Sequence, residues 1–141
     1  MNKQIIELVQ QHEYSCVAAR ETIFYQGTGL GVKPLITPMR ENRQFFQGAE
    51  VADKIVGKAA AFLLVLSGAK AVYGDIMSKG AVEVLEQHGI DYCYGTLVEF
   101  IENRTGTGMC PLEQSVKEET SPEKAWDKIE NTIAELMKQS K

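Results

Sequence analysis

Acidic and basic side chains lie close together between residues 53 and 58. Asp53, Lys54 and Lys58 fall in a segment that we predict to be the first half of a long helix, with both lysines on one face. The start of a helix has free N–H groups and partial positive charge, so it attracts anions. Gly57 permits close approach to the backbone. The segment predicts a site for a phosphate or carboxylate; the alternative is a solvated first turn in which Asp53 pairs with a lysine.

A cysteine supplies a second candidate for chemistry. Cys110 precedes Pro111, and Glu113 is three residues further along the chain. A thiol near lysines or a helix N-terminus can act as a nucleophile, and Glu113 or Lys58 would then move the proton. In the alternative interpretation Cys110 packs inward and Glu113 belongs to the first turn of a short helix. Arg104, at the end of a predicted helix, is a further candidate for ligand contact or is simply solvated.

The cysteines and histidines do not form a metal-binding motif. No CxxC pair occurs, and neither His12 nor His88 lies at a ligand spacing from a cysteine. We therefore expect free thiols, no metal and no cofactor. The glycine-rich segment 27–31 does not open a predicted helix, so we interpret it as a turn and not as a phosphate cradle.

Composition narrows the class of protein. The chain has 141 residues, 44% of them hydrophobic, and a formal net charge of -4, so one domain over residues 1–141 is expected. Basic residues are scattered, which argues against binding to a nucleic-acid backbone. The N-terminus has no signal-peptide pattern, and the apolar stretch 59–66 is far shorter than the roughly 20 residues that span a bilayer. We expect a cytosolic protein that does not bind a membrane.

Hydrophobic periodicity predicts alternating helices and strands. The predicted elements are a helix at 3–12, a hairpin at 15–25, an irregular loop at 27–38, a buried helix from 49 or 50 to 67, a strand at 71–76, a helix at 78–88, a strand at 90–94, a helix at 96–104 and a last helix from Ser121. Gly68 suits the end of the buried helix, and Ser78 suits the start of the next. The alternation predicts an α/β fold with a parallel strand pair, and the hairpin makes the sheet mixed.

Three segments carry a resemblance to a known family. They are Gly31-Val32-Lys33-Pro34-Leu35, Asp53-Lys54-Ile55-Val56-Gly57-Lys58-Ala59-Ala60-Ala61 and Cys110-Pro111-Leu112-Glu113. With them the chain resembles the uncharacterised bacterial family called domain of unknown function 1893. The resemblance implies a fold like that of cytidine deaminases, a three-layer α/β/α sandwich. It does not supply an activity.

The zinc deaminases themselves differ from this chain at their metal site. They carry H-x-E at the start of the central helix and P-C-x-x-C at the start of the next. Here the first place holds residues 53–58 and the second holds Met77-Ser78-Lys79-Gly80, without a thiolate or an imidazole. Zinc-dependent deamination is therefore not expected.

Three hypotheses follow from these observations. In the first, the protein binds a nucleotide-like or other anionic small molecule in the former deaminase pocket. The predicted ligand-binding residues are Asp53, Lys54, Gly57, Lys58, Ser78 and Arg104. In the second it is a non-zinc enzyme with Cys110 as nucleophile, assisted by Lys58 or Glu113. In the third it is an interaction module that forms a homodimer through an exposed face.

Overall fold

The computed structural model describes residues 1–139 of the chain. Within them the helices are α1 (Lys3–Gln10), α2 (Lys33–Glu41), α3 (Lys58–Ser67), α4 (Lys79–Gln87), α5 (Pro111–Ser115) and α6 (Pro122–Gln139). The strands are β1 (Cys16–Ala19), β2 (Ile23–Gly27), β3 (Glu50–Val56), β4 (Ala71–Ser78) and β5 (Asp91–Val98). In this part of the chain no helix is long and apolar enough to cross a membrane.

The five strands form one mixed sheet in the order β2-β1-β3-β4-β5. β1 runs antiparallel to both β2 and β3, while β3, β4 and β5 are parallel to one another. Helix α3 connects β3 to β4, and α4 connects β4 to β5. The predicted α/β class with a mixed sheet is confirmed. The starts of α3 and α4 both follow parallel strands.

Each face of the sheet has its own hydrophobic cluster. On one face α1 inserts Ile5 and Val9 against Ala52 and Tyr73. The larger cluster on the other face includes residues from α2, α3, α4 and α6. As predicted for an element that is apolar on every side, α3 is buried, with Ala59 to Leu64 all in the core. Gly68 ends α3 with φ 80°, the left-handed conformation that glycine adopts without strain.

The predicted helix from 49 or 50 to 67 is wrong in its first half. Residues 50–56 form strand β3, and the helix begins only at Lys58, with Gly57 at the junction. The charges of Asp53 and Lys54 suggested the solvated face of a helix. β3 is an inner strand of the sheet, however, and Asp53 is itself buried. Lys54 and Lys58 therefore do not share a helix face.

Two other predicted elements also differ from the structure. The helix predicted at 96–104 is absent, because β5 continues to Val98 in register with β4. β-Branched Thr96 and Val98 fit this strand better than a helix. The loop predicted at 27–38 gives way to α2, in which Pro34 occupies the first turn, where its missing N–H costs nothing. Residues 28–32 form the predicted turn, with positive φ at Gly29 and Gly31, but the expectation that this segment opens no helix is wrong, because it leads into α2.

Several local predictions are confirmed. The Ser78 hydroxyl accepts a hydrogen bond from the N–H of Ala81 and caps α4. Helix α6 begins at Pro122, and Trp126 is buried in the core. The Tyr92 and Tyr94 rings share one face of β5 and stack with their centroids 6.5 Å apart.

Candidate functional site

Two helix N-termini lie side by side at the carboxyl ends of β3 and β4. These strands are parallel neighbours, paired from Glu50 with Ala71 to Val56 with Met77, and each leads directly into its helix. Lys58, the first residue of α3, packs against the start of α4. A Cβ added at Gly80 would lie 3.4 Å from the Cβ of Lys58. This edge of a parallel sheet is where α/β proteins bind ligands.

A carboxylate from elsewhere in the chain occupies the start of α3. Glu113, on α5, is only 5% exposed, and its Oε2 accepts a hydrogen bond of 2.6 Å from the backbone N–H of Lys58. Gly57 makes room for it, because a Cβ at this position would overlap with the Glu113 carboxylate and with Ile101. The free N–H groups and partial positive charge of a helix start favour such an anion. The start of α3 thus binds a carboxylate, which here is the side chain of Glu113.

The Lys58 side chain extends away from this carboxylate. Its Nζ donates a 2.7 Å hydrogen bond to the backbone carbonyl of Lys117 and lies 5.7 Å from the centre of the Phe62 ring. The amine therefore connects α3 to the segment that follows α5. Glu113 and Lys58 together fasten this segment over the helix start.

Asp53 is a buried acidic side chain in the middle of the sheet, on strand β3. It is 3% exposed, and it pairs with Cys16 on β1 and with Gly74 on β4. Its Oδ1 accepts from the N–H of Ile55 at 3.3 Å, whereas its Oδ2 is buried without a hydrogen-bond partner. Burial raises the pKa of Asp53 from its ordinary 3.8 to about 7, although hydrogen bonds from the backbone and the charge of Lys54 oppose the rise.

The buried acid influences the side chains on its sheet face. Burial raises the pKa of the Cys16 thiol well above its ordinary value, and the negative charge of Asp53 adds to the rise. The pKa of Tyr25 is raised for the same two reasons, burial first and then the charges of Cys16 and Asp53. Cys16 was not predicted as a site residue, because its position opposite Asp53 depends on the register between β1 and β3.

The structure brings some of the predicted residues together. Gly57, Lys58 and Glu113 are in contact at the start of α3, and the start of α4, capped by Ser78, adjoins them through Gly80. The hydroxyl of Ser78 is engaged by its own helix. These contacts join the predicted ligand-binding residues to the predicted proton acceptor.

Other predicted residues are placed differently. Lys54 follows Asp53 on strand β3, and not at the start of a helix as predicted. Arg104 lies in an exposed loop, not at a helix end. Cys110 is half-buried at the N-cap of α5, where its own N–H donates to the carbonyl of Ile101. Its predicted role as a nucleophile stays a prediction, and Glu113, its predicted assistant, is hydrogen-bonded to α3.

No cluster of metal-binding side chains marks this site in residues 1–139. No three His, Cys, Asp or Glu side chains among them are grouped so that they could hold a metal ion. Two shallow surface clefts, of about 330 and 320 Å³, lie elsewhere. The first is at the amino ends of β4 and β5, and the second lies between Pro111 and the last turns of α6. At the start of α3 itself, the Glu113 carboxylate occupies the backbone N–H of Lys58.

Fold and site together define an α/β protein in which two helix starts converge and an internal carboxylate occupies one of them. The family model described as "Domain of unknown function (DUF1893)" matches residues 4–133, so the chain belongs to this family. A crystal structure of a DUF1893 family protein from Thermotoga maritima superimposes with a TM-score of 0.80. The alignment covers 96% of this chain and 92% of the other at 24% sequence identity, which shows the shared fold alone. No curated protein matches the chain.

Proposed function

We propose that this protein binds a small anionic molecule at the start of α3, in the place that Glu113 now occupies. The observation that carries the proposal is the 2.6 Å hydrogen bond from the N–H of Lys58 to the Glu113 carboxylate, beside a glycine without a side chain. A carboxylate or phosphate of a ligand has the same chemistry as the glutamate and would take over this bond.

A second observation points to a ligand independently. The buried Oδ2 of Asp53 lacks a hydrogen-bond partner, and such an atom in a folded protein calls for an explanation. Strongly raised acid pKa values are concentrated at functional sites. We infer that a ligand seated above the sheet donates a hydrogen bond to Asp53 while its anionic group binds α3. A nucleotide-like molecule has both features, an anionic group and N–H or O–H donors.

The proposal includes a finer statement about the fold. The strand order, with an antiparallel β1 between β2 and β3 and with adjacent starts of α3 and α4, supports a three-layer sandwich like that of cytidine deaminases. In that comparison residues 53–58 and 77–80 stand where zinc deaminases carry their metal-binding motifs. The site would thus retain its position in the fold while using the N–H groups of helix starts instead of zinc.

Glu113 then acts as an internal competitor of the ligand. A hydrogen bond to a charged group stabilises by about 1.5–3 kcal/mol. If the open form is disfavoured by about 2 kcal/mol, removing the competing charge raises the apparent affinity by about thirtyfold, since 1.4 kcal/mol corresponds to a factor of ten.

The experiment compares wild type with Glu113→Gln, which keeps the size of the side chain and removes its charge. Inorganic phosphate, succinate and adenosine monophosphate are titrated while the melting temperature and the heat of binding are measured. We expect weak binding to wild type and binding tighter by about thirtyfold to Glu113→Gln. Glu118→Gln, an exposed acid on the same segment, is the matched control and should bind like wild type.

A purely structural role for Glu113 predicts another result. Glu113→Gln would then be less stable than wild type, because the N–H of Lys58 loses a charged acceptor, but no probe would bind it better. That outcome would refute the proposed function.

A further inference from the structure

The last strand of the sheet has an open edge. β5 is eight residues long, and six of its residues are exposed, with Tyr94 at 42% and Leu97 at 37%. Between Tyr92 and Val98 it contains neither a charge nor a proline. Such an edge presents unpaired backbone N–H and C=O groups, and proteins normally shorten, charge or cover it.

The opposite edge of the sheet is protected. β2 has five residues, and its pairing with β1 shifts register between Ala18 and Ala19. The Phe24 and Tyr25 rings pack against Phe45. A short, irregular edge of this kind resists pairing with another chain. The sheet is therefore open at β5.

We propose that β5 pairs antiparallel with β5 of a second copy of the chain, which joins two five-stranded sheets into one. A strand that pairs with itself about a two-fold axis repeats every contact, and this symmetry is the commonest among soluble oligomers. Aromatic residues are enriched in such interfaces, and the stacked Tyr92 and Tyr94 lie on this strand. The proposal is independent of the site at α3.

The charges at the two ends of β5 favour a second copy as the occupant. One end carries Asp91 together with Lys70, next to Ala71, its partner on β4. The other end carries Glu99 in an ion pair with Lys79. Antiparallel pairing brings the Asp91 end of one copy against the end of the other that carries Glu99 and Lys79, so that Asp91 lies near a lysine of the second copy. Neither Asp91 nor Lys70 has an ion pair within residues 1–139, and both would find opposite charges on the second copy.

The area also suits a dimer. Eight strand residues extend about 26 Å, and the edge of the sheet with the flank of one helix is roughly 20 Å high. Each copy would bury about 500 Å², so the total is about 1,000 Å², the lower limit for a specific interface. We therefore expect a dimer that dissociates on dilution.

Sedimentation of the 141-residue chain over a range of concentrations tests this inference. We expect wild type to reach twice the 15.6 kDa mass of one chain as the concentration rises. Leu97→Lys places a charge on the strand within the proposed interface and should raise the dissociation constant at least about tenfold. Leu136→Lys, on α6, is matched because Leu136 is also 37% exposed, and it should leave dimerisation unchanged.

A second variant and a second measurement make the test decisive. Thr96→Lys, at another exposed position of β5, replaces Leu97→Lys if that variant does not fold, as judged by circular dichroism. Hydrogen exchange should slow at β5 amides only above the dissociation constant. A wild type that remains monomeric, or a dimer that Leu136→Lys dissociates and the β5 variants do not, overturns the proposal. A monomer that binds an extended peptide along β5 overturns it as well, because the occupant would then be a different chain.

Discussion

Asp53→Asn tests the environment of the buried acid without changing the size of its side chain. Asp53 is 3% exposed, and burial raises its pKa from 3.8 to about 7. The folded protein therefore holds the Asp53 proton more tightly than the unfolded chain does. The stability that this proton contributes is fully present below pH 3.8 and is lost as the pH rises through about 7.

The magnitude follows from the two pKa values of Asp53. The difference between 3.8 and about 7, at about 1.4 kcal/mol for each pH unit, corresponds to about 4 kcal/mol. Asparagine does not titrate, so it lacks this loss. Relative to wild type, Asp53→Asn should gain about 4 kcal/mol in the free energy of unfolding between pH 4 and pH 8.5.

Urea denaturation of both proteins at intervals over this pH range measures the difference. The other titrating groups are common to both proteins, so their contributions cancel when the two curves are subtracted. Asp127→Asn, which removes an exposed carboxylate on α6, is the control for the loss of one charge. A difference between Asp53→Asn and wild type that stays within about 1 kcal/mol over the whole range would show that Asp53 is ionised in the fold at low cost.

Three further predictions concern other parts of the molecule. Trp126→Ala should lower the free energy of unfolding by about 3–5 kcal/mol, measured in urea, because it removes a buried ring from the core. Cys16 should not react with a water-soluble thiol reagent at pH 8 in the folded protein, since it is buried and burial raises its pKa. Hydrogen bonds from Lys128 and from the backbone lower the pKa of Glu119 from 4.5 to about 2. Its contribution to stability is therefore present above pH 4.5 and lost as the pH falls toward 2, and Glu119→Gln should flatten the acid limb of the stability curve.

Each of these predictions has a result that contradicts it. A cost below about 1 kcal/mol for Trp126→Ala would mean that α6 is not anchored by this ring. Labelling of Cys16 at the rate of the exposed thiol of Cys93 would mean that the region around β1 opens readily. An acid limb unchanged in Glu119→Gln would mean that its ion pair with Lys128 is absent in solution.

Local sequence patterns were sufficient for the elements whose neighbours in the chain decide their structure. The cap at Ser78, the glycine at Gly68 and the start of α6 at Pro122 are of this kind, because each depends on hydrogen bonds or dihedral angles within a few residues. The composition and the alternation of apolar segments likewise sufficed for the α/β class.

Local sequence patterns failed to predict two strands whose pairing partners lie far away in the chain. β3 contains Asp53 and Lys54 and reads as part of an amphipathic helix, yet it is an inner strand. The residues 96–98 read as a helix start, with Thr96 and Glu99 in the spacing of a capping box. Their pairing with β4 is a contact between segments some 20 residues apart, and this pairing decides in favour of the strand.

The types of the site residues can thus be read from the chain, whereas their arrangement cannot. Sequence was enough to select Gly57, Lys58 and Glu113 as candidates, since glycine, lysine and carboxylate are the groups that an anion site or a proton transfer uses. Only the folded structure seats Glu113 on the N–H of Lys58, 55 positions earlier, and sets Cys16 opposite Asp53. Such contacts arise from packing and strand register, which are set by the molecule as a whole and leave no trace in local spacing.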